Sequence, residues 1–175
     1  LKADRDDIIA ALDGELSSTH RFVLQKMRDH IEYLQKELDG LEAQLLQGLA
    51  DYRWALELLM TMPGVDRLAA AKLLVEIGGD MAVFVTPRRL ASWAGLCPGN
   101  NESAGKRKSG KTAKGNPYVR AILCQVAHAA VKTRCYFREK FQSLMLRRGF
   151  KKAIIAIAHK IIKTAFILLS RNKPY

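Results

Sequence analysis

From about residue 20 the apolar positions recur as heptads. Leu24, Ile31, Leu38, Leu45, Tyr52 and Leu59 fall seven apart, with Met27, Leu34 and Leu41 three residues after the first three. This spacing keeps one stripe of a helix apolar, as an a/d seam, while Lys26, Arg28, Glu32, Lys36, Glu37 and Glu42 stand off it. With no proline before Pro63, the pattern predicts one long helix, weakened at Gly48. Such a seam needs a cover. No second long heptad run is present to fold back, so the expected cover is the same helix of another chain, in a homo-oligomer that could be a dimer or a tetramer.

Beyond Leu59 the period is that of shorter helices. Pro63 and Gly64 end one helix, Asp66 can cap the next, and Leu68, Leu73, Leu74 and Ile77 give it an apolar face before Gly78-Gly79 stops it. This stretch, 58–79, reads either as an ordinary helix corner or as a helix-hairpin-helix-like motif. In the second reading Gly64 lets the backbone approach a DNA phosphate, and the following helix offers its unpaired N–H groups to the anion. Pro87 suits the first turn of a short helix ending at Trp93. Periodicity returns at Pro117 with Val119, Ile122, Leu123, Val126, Ala127 and Ala130. It continues in a second helix through Phe137, Phe141 and Leu144 to Gly149, then in a final helix with Ile154, Ile161, Ile162, Phe166 and Leu169. No convincing β pattern occurs. The expected fold is all-α: a long N-terminal coiled-coil arm, 1–57, and a small basic helical domain, 58–175, whose last part, 117–172, is a helical bundle.

Charge divides the chain in the same way. Residues 1–62 hold seven Lys or Arg against twelve Asp or Glu, and residues 63–175 hold 22 against five, giving −5 and +17 and the net +12. An acidic arm joined to a basic domain implies a polyanionic partner, and nucleic acid is the one that fits. Cys97, Cys124 and Cys135 are odd in number and lack a second Cys or His at ligand spacing, so neither a disulfide framework nor a zinc site is indicated, and a reducing cytoplasm is the expected location. The apolar run near the C-terminus is interrupted by His159, Lys160 and Lys163, which argues against a membrane span. The chain opens on Leu1 rather than Met, which reads as part of a longer protein.

Most of the candidate chemistry lies between Trp93 and Arg120, with a basic serine loop at 98–116. After Glu102 the stretch holds six cations (Lys106, Arg107, Lys108, Lys111, Lys114 and Arg120) and no acid. A segment so rich in Gly, Ser, Asn, Lys and Arg cannot build a core; its natural partner is a phosphate backbone. Ser103 could attack a phosphodiester if its proton were removed and the added negative charge neutralised by Lys106, Arg107 and Lys108. A loop serine that merely contacts phosphate explains the same residues, and Ser109 carries the same ambiguity. Asp66, Glu76, Asp80, Glu102 and Glu139 are scattered, so no metal site or cofactor is expected in this chain alone. His20, His30, His128 and His159 read as packing or surface residues, and Tyr118 and Tyr136 as core or rim residues.

Three blocks, MPGVDRLAAAKLLVEIG, RRLASWAGLCP and ESAGKRKSGKTAKGNPYVRAIL, stand in this order across about residues 58–130. Together they resemble the C-terminal domain of transposases of the insertion-sequence family numbered one hundred and ten, with its related one-hundred-and-sixteen and nine-hundred-and-two elements. The resemblance implies a DNA recombinase whose full chain begins with a RuvC-like domain bearing acidic Mg²⁺ ligands, followed by a coiled coil and this serine-bearing domain. It also implies guidance by an RNA that bridges donor and target DNA. Ser103 matches the second serine of the family's S-S-G-G-K block, and takes from it the role of nucleophile. Gly105 and Lys106 match the glycine and lysine that follow, and Lys114, Gly115, Asn116 and Arg120 match a K-R-G-N block in part. Glu102 stands where a serine is common and Ala104 where a glycine is common.

Two functions follow. In the first, the chain is half of a serine recombinase site, with Mg²⁺ supplied from the RuvC-like domain and the present part inactive alone. In the second, it is a non-catalytic module for DNA or RNA binding and oligomerisation, in which Gly64, Lys106, Arg107, Lys108, Lys111, Lys114, Asn116 and Arg120 grip backbone and Ser103 is dispensable.

Overall fold

The computed structural model describes residues 4–12, 14, 16–99, 101–104 and 106–175; side chains are described for all of these except 11–12, 101–103 and 106–109. The chain divides into two compact units, Leu1–Gln44 and Leu45–Tyr175.

The first unit contains α1 (Arg5–Leu12) and most of α2 (Ser18–Gly48). α1 has no counterpart in the heptad pattern. Helix α2 is a single run of 31 residues, held on its surface by pairs such as Arg28 Nε to Glu32 Oε1 at 2.9 Å and Gln25 Nε2 to Asp29 Oδ1 at 2.7 Å. Its seam residues Leu24, Met27, Ile31, Leu34, Leu38 and Leu41 are all exposed.

The second unit begins with the last turn of α2, because Leu45, Leu46 and Leu49 pack against its core. Here the expected single long helix is corrected. The helix ends at Gly48, a 3₁₀ turn follows at Ala50–Tyr52, and α3 (Arg53–Met60) sets off separately. Gly48 is a weak helix former, but so is Gly40, through which α2 continues; what differs at Gly48 is that Leu56 and Leu59 just beyond it are drawn into the core, Leu59 completely. Tyr52 and Leu59 therefore leave the seam.

α4 (Arg67–Ile77) starts as its sequence directs. Asp66 caps it, its Oδ1 accepting from the Ala69 amide at 2.7 Å, and Gly78 ends it at φ +71°. A 3₁₀ turn at Met81–Val83, capped by Asp80, leads to α5 (Pro87–Trp93), which has Thr86 as N-cap and Pro87 in its first turn. Three helices complete the unit: α6 (Pro117–Ala130), α7 (Tyr136–Arg148) and α8 (Phe150–Arg171). A single residue, Gly149 at φ +76°, joins the last two.

α8 is the centre of this all-α unit. It packs against α3, α5, α6 and α7, and Ile157, Ile161 and Ile162 are fully buried, each contributing roughly 2 kcal/mol of burial. By length and composition α8 could cross a membrane, the one such helix among the described residues. Yet 56% of its most apolar window is buried within the fold, as in a core helix.

Between α5 and α6 the structure departs from the expected loop. β1 (Asn101–Ser103) and β2 (Lys106–Ser109) form a small antiparallel hairpin. Its strands, of three and four residues with no apolar position in either, are too short and too polar to show the alternation by which a strand is read from sequence.

Candidate nucleic-acid interface

The hairpin stands on a closed base. Below it, Pro98 and Thr112 form an antiparallel bridge, and the Gly99 amide donates to the Lys111 carbonyl at 2.8 Å. Lower still, Gly95 lies against Gly115: a Cβ on Gly115 would overlap the Gly95 backbone and the Trp93 carbonyl. The Asn116 amide then donates to that Trp93 carbonyl at 3.0 Å, so the segment leaves and returns at one point.

Two side chains fasten the base. Asn116 caps α6, its Oδ1 accepting from the amides of Tyr118 at 2.9 Å and Val119 at 3.0 Å, while its Nδ2 donates to Glu76 Oε2 on α4 at 2.7 Å. Arg120, half-buried one turn later, donates from Nη1 to Thr112 Oγ1 at 2.8 Å and to the Gly95 carbonyl at 3.3 Å. Both were expected to contact nucleic acid; in the fold both hold the loop. Gly64 also has an internal reason for its identity: it sits at φ +83°, and a Cβ there would meet the backbone of Val126 and Ala130 in α6 within 2.8 Å.

The register of the hairpin sets Ser103 opposite Lys106, Glu102 opposite Arg107 and Asn101 opposite Ser109, with a bulge between Asn101 and Glu102. Ala104 follows Ser103 at φ +52°, in the left-handed region that favours glycine. Gly105 and the side chains of Ser103, Lys106, Arg107 and Lys108 lie outside the described residues. Lys111 and Lys114 are exposed.

A cleft of about 1100 Å³ opens beside the base of the loop. Lys111 and Arg120 line it from the side of the loop and α6, and Arg148, Lys151, Lys152 and His159 from α7 and α8; among the described residues no carboxylate lines it. Its apolar surface comes from Leu96, Leu144 and Ile155. Nothing local in the sequence announces that Lys151 and Lys152 share a cleft with the loop. His159 is held below its ordinary value, first by burial and then by the neighbouring charges of Lys163 and Lys160. Tyr136, read as a packing residue, is exposed and its hydroxyl accepts a hydrogen bond from Lys160 Nζ at 3.1 Å, which lowers the phenol's affinity for its proton.

Among the described residues no three His, Cys, Asp or Glu side chains converge. Asp66 and Asp80 are spent on helix caps and Glu76 on Asn116, so these groups do not fit a Mg²⁺ site.

Comparison with known proteins bears on the same segment. The family described as Transposase IS116/IS110/IS902 matches residues 56–142, from α3 to the middle of α7. The chain belongs to this transposase family. Over 143 residues it is 29% identical to the pilin gene-inverting protein of Moraxella lacunata, covering 79% of this chain and 44% of that protein. It is 27% identical over 160 residues to the insertion element IS900 uncharacterized 42 kDa protein of Mycobacterium paratuberculosis, covering 87% and 39%. It is 25% identical over 158 residues to the transposase for insertion sequence element IS1328 of Yersinia enterocolitica, covering 87% and 47%. The chain thus spans less than half the length of these relatives.

Proposed function

We propose that this transposase domain is the nucleophile-bearing half of a DNA recombinase site. Ser103 attacks a phosphodiester, its Oγ forming a bond to phosphorus as the 3′ or 5′ oxygen departs with a proton, and strand exchange reverses the step on a second strand. The observation that carries this reading is the mounting of Ser103: it ends a strand, at the far end of a cationic hairpin whose base is closed by the Gly95–Gly115 contact and fastened by Asn116 and Arg120. A loop that only gripped phosphate through charge would not need so rigid a root; positioned attack does. The family membership and the relative named for gene inversion support rearrangement of DNA as the activity.

Further elements of the reading come from the resemblance of the sequence blocks. The Mg²⁺ belongs to an acidic RuvC-like domain outside this chain, a guide RNA selects the DNA, and action on DNA places the protein in the cytoplasm. The exposed apolar seam of α2 supports pairing with further copies as a coiled coil, dimeric or tetrameric.

The test is Ser103→Ala in the full-length enzyme. Strand exchange should be lost while DNA binding is kept, and normal exchange by the variant would end the reading. The competing function, a non-catalytic binding and oligomerisation module, is supported by the cationic lining of the cleft beside the hairpin, which suits binding alone. It requires that Ser103→Ala leave the protein's function intact, with Lys106, Arg107, Lys108, Lys111 and Lys114 contributing about equally to salt-dependent affinity.

A further inference from the structure

The α7–α8 corner carries charge in an unusual place. Lys151 and Lys152 occupy the first turn of α8, where the helix dipole is positive, with no acidic residue in that turn and no side-chain cap from Gly149. Arg147 and Arg148 end α7 immediately before. The described ion pairs, Lys26–Asp29, Arg28–Glu32 and Arg53–Glu57, all lie in α2 and α3, and none involves Arg148, Lys151 or Lys152. Mutual repulsion and the dipole both disfavour this cluster in the free protein, and both are relieved by an anion.

Surface lysines alone would be a solvated patch, but these line a cleft. Arg148, Lys151 and Lys152 face Lys111 and Arg120 across the 1100 Å³ space, over an apolar surface of Leu96, Leu144 and Ile155. Cationic edges with an apolar bed match a polymer that presents charge and flat apolar faces together. A nucleic-acid duplex offers phosphates but keeps its base faces stacked inside. An unpaired strand offers both, with its phosphates to the cations and its sugars and bases to the bed. Pro98, Gly110 and Thr112, at the root of the Ser103 hairpin, line the same cleft.

We propose that this cleft is a binding site for a single nucleic-acid strand, leading unpaired nucleotides to or from the root of the hairpin. The proposal rests on the nucleic-acid reading of the domain but not on Ser103 as nucleophile. Its chemistry is that of a phosphodiester backbone with unstacked bases, common to DNA and RNA.

The test compares two triple variants of the 175-residue chain, each losing three exposed cations. Arg148→Gln/Lys151→Gln/Lys152→Gln empties the corner of charge, and Lys132→Gln/Arg134→Gln/Lys173→Gln removes the same charge from positions that do not line the cleft. Circular dichroism melts verify that both fold. Labelled single-stranded DNA, single-stranded RNA and duplex DNA of one sequence are then titrated by fluorescence anisotropy across a salt series. At about 0.1 M salt the corner variant should lose roughly tenfold or more of its single-strand affinity, and its log–log salt slope should fall by about 2, three contacts at about 0.7 each. The control should lose far less, and duplex binding should fall no further in the corner variant than in the control. The more weakened single-strand probe identifies whether DNA or RNA is the occupant. Equal losses in the two variants, or a loss confined to duplex, would overturn the proposal while leaving nucleic-acid binding by the domain in place. Failure of the unmutated chain to bind any probe would overturn both.

Discussion

Gly95 and Gly115 meet backbone to backbone: a Cβ added to Gly95 would stand 2.9 Å from the Gly115 nitrogen and 3.0 Å from its Cα. Contact this close closes the root of the segment that carries Ser103, and no side chain other than hydrogen can occupy either position without moving the other strand. Gly95 also sits at φ +67°.

Gly115→Ala should therefore destabilise the second unit by about 1–3 kcal/mol in chemical denaturation. Gly40→Ala provides the contrast. Gly40 lies inside α2 with nothing within 4 Å of an added Cβ, so the substitution should raise helix content, with a gain of about 1 kcal/mol.

Asn116 does two jobs that substitution can separate. Asn116→Ala removes the α6 cap and leaves Glu76 without its amide donor, a loss of roughly 1–2 kcal/mol from the cap alone. Asn116→Asp keeps an equally good cap but sets a carboxylate against Glu76 where the amide now donates at 2.7 Å. It should be less stable than the parent at neutral pH, and adding Glu76→Gln should restore much of the difference. A denaturation series on the four proteins measures this coupling; additivity of the two substitutions would show that the contact does not matter.

The left-handed backbone at Ala104 makes another prediction. Ala104→Gly should stabilise the hairpin by about 1 kcal/mol, seen as slower amide exchange across residues 101–109.

Where the sequence was informative, it was because the signal was local. The cap at Asp66, the first-turn Pro87 and the joint at Gly149 each depend on one or two neighbouring residues, and so do the apolar stripes of α6 and α8. What escaped depends on residues far apart in the chain. The structural role of Asn116 and Arg120 shows only once Glu76, Thr112 and Gly95 are brought to them. The cleft is likewise invisible in sequence, since Leu96 and Lys111 meet Arg148 and Lys152 only after α8 has packed. The break after Gly48 is an intermediate case: the glycine is visible, but the pull of the core on Leu56 and Leu59 is not.

His159 links stability to pH. Its folded form binds a proton less readily than the unfolded chain, because it is half-buried and close to Lys163 and Lys160; the other titratable groups sharing its cleft, Lys111, Arg120, Arg148, Lys151 and Lys152, are also cationic. The unfolded state thus takes up more protons as pH falls through about 6.5 and below, so stability drops on acidification and the loss is absent above that range. His159→Gln should flatten the slope of stability against pH in this window, as measured by denaturant midpoints from pH 8 to pH 5; an unchanged slope would show that another group is responsible.

The central claim is that Ser103 makes the bond to DNA, and its most direct measurement is capture of that bond. The full-length enzyme is incubated with substrate DNA, denatured and resolved for a covalent protein–DNA adduct, alongside Ser103→Ala and Ser109→Ala. The account predicts an adduct in the parent and in Ser109→Ala, mapped by mass spectrometry to Ser103, and none in Ser103→Ala. An adduct that survives Ser103→Ala, or one lost only with Ser109→Ala, would contradict it.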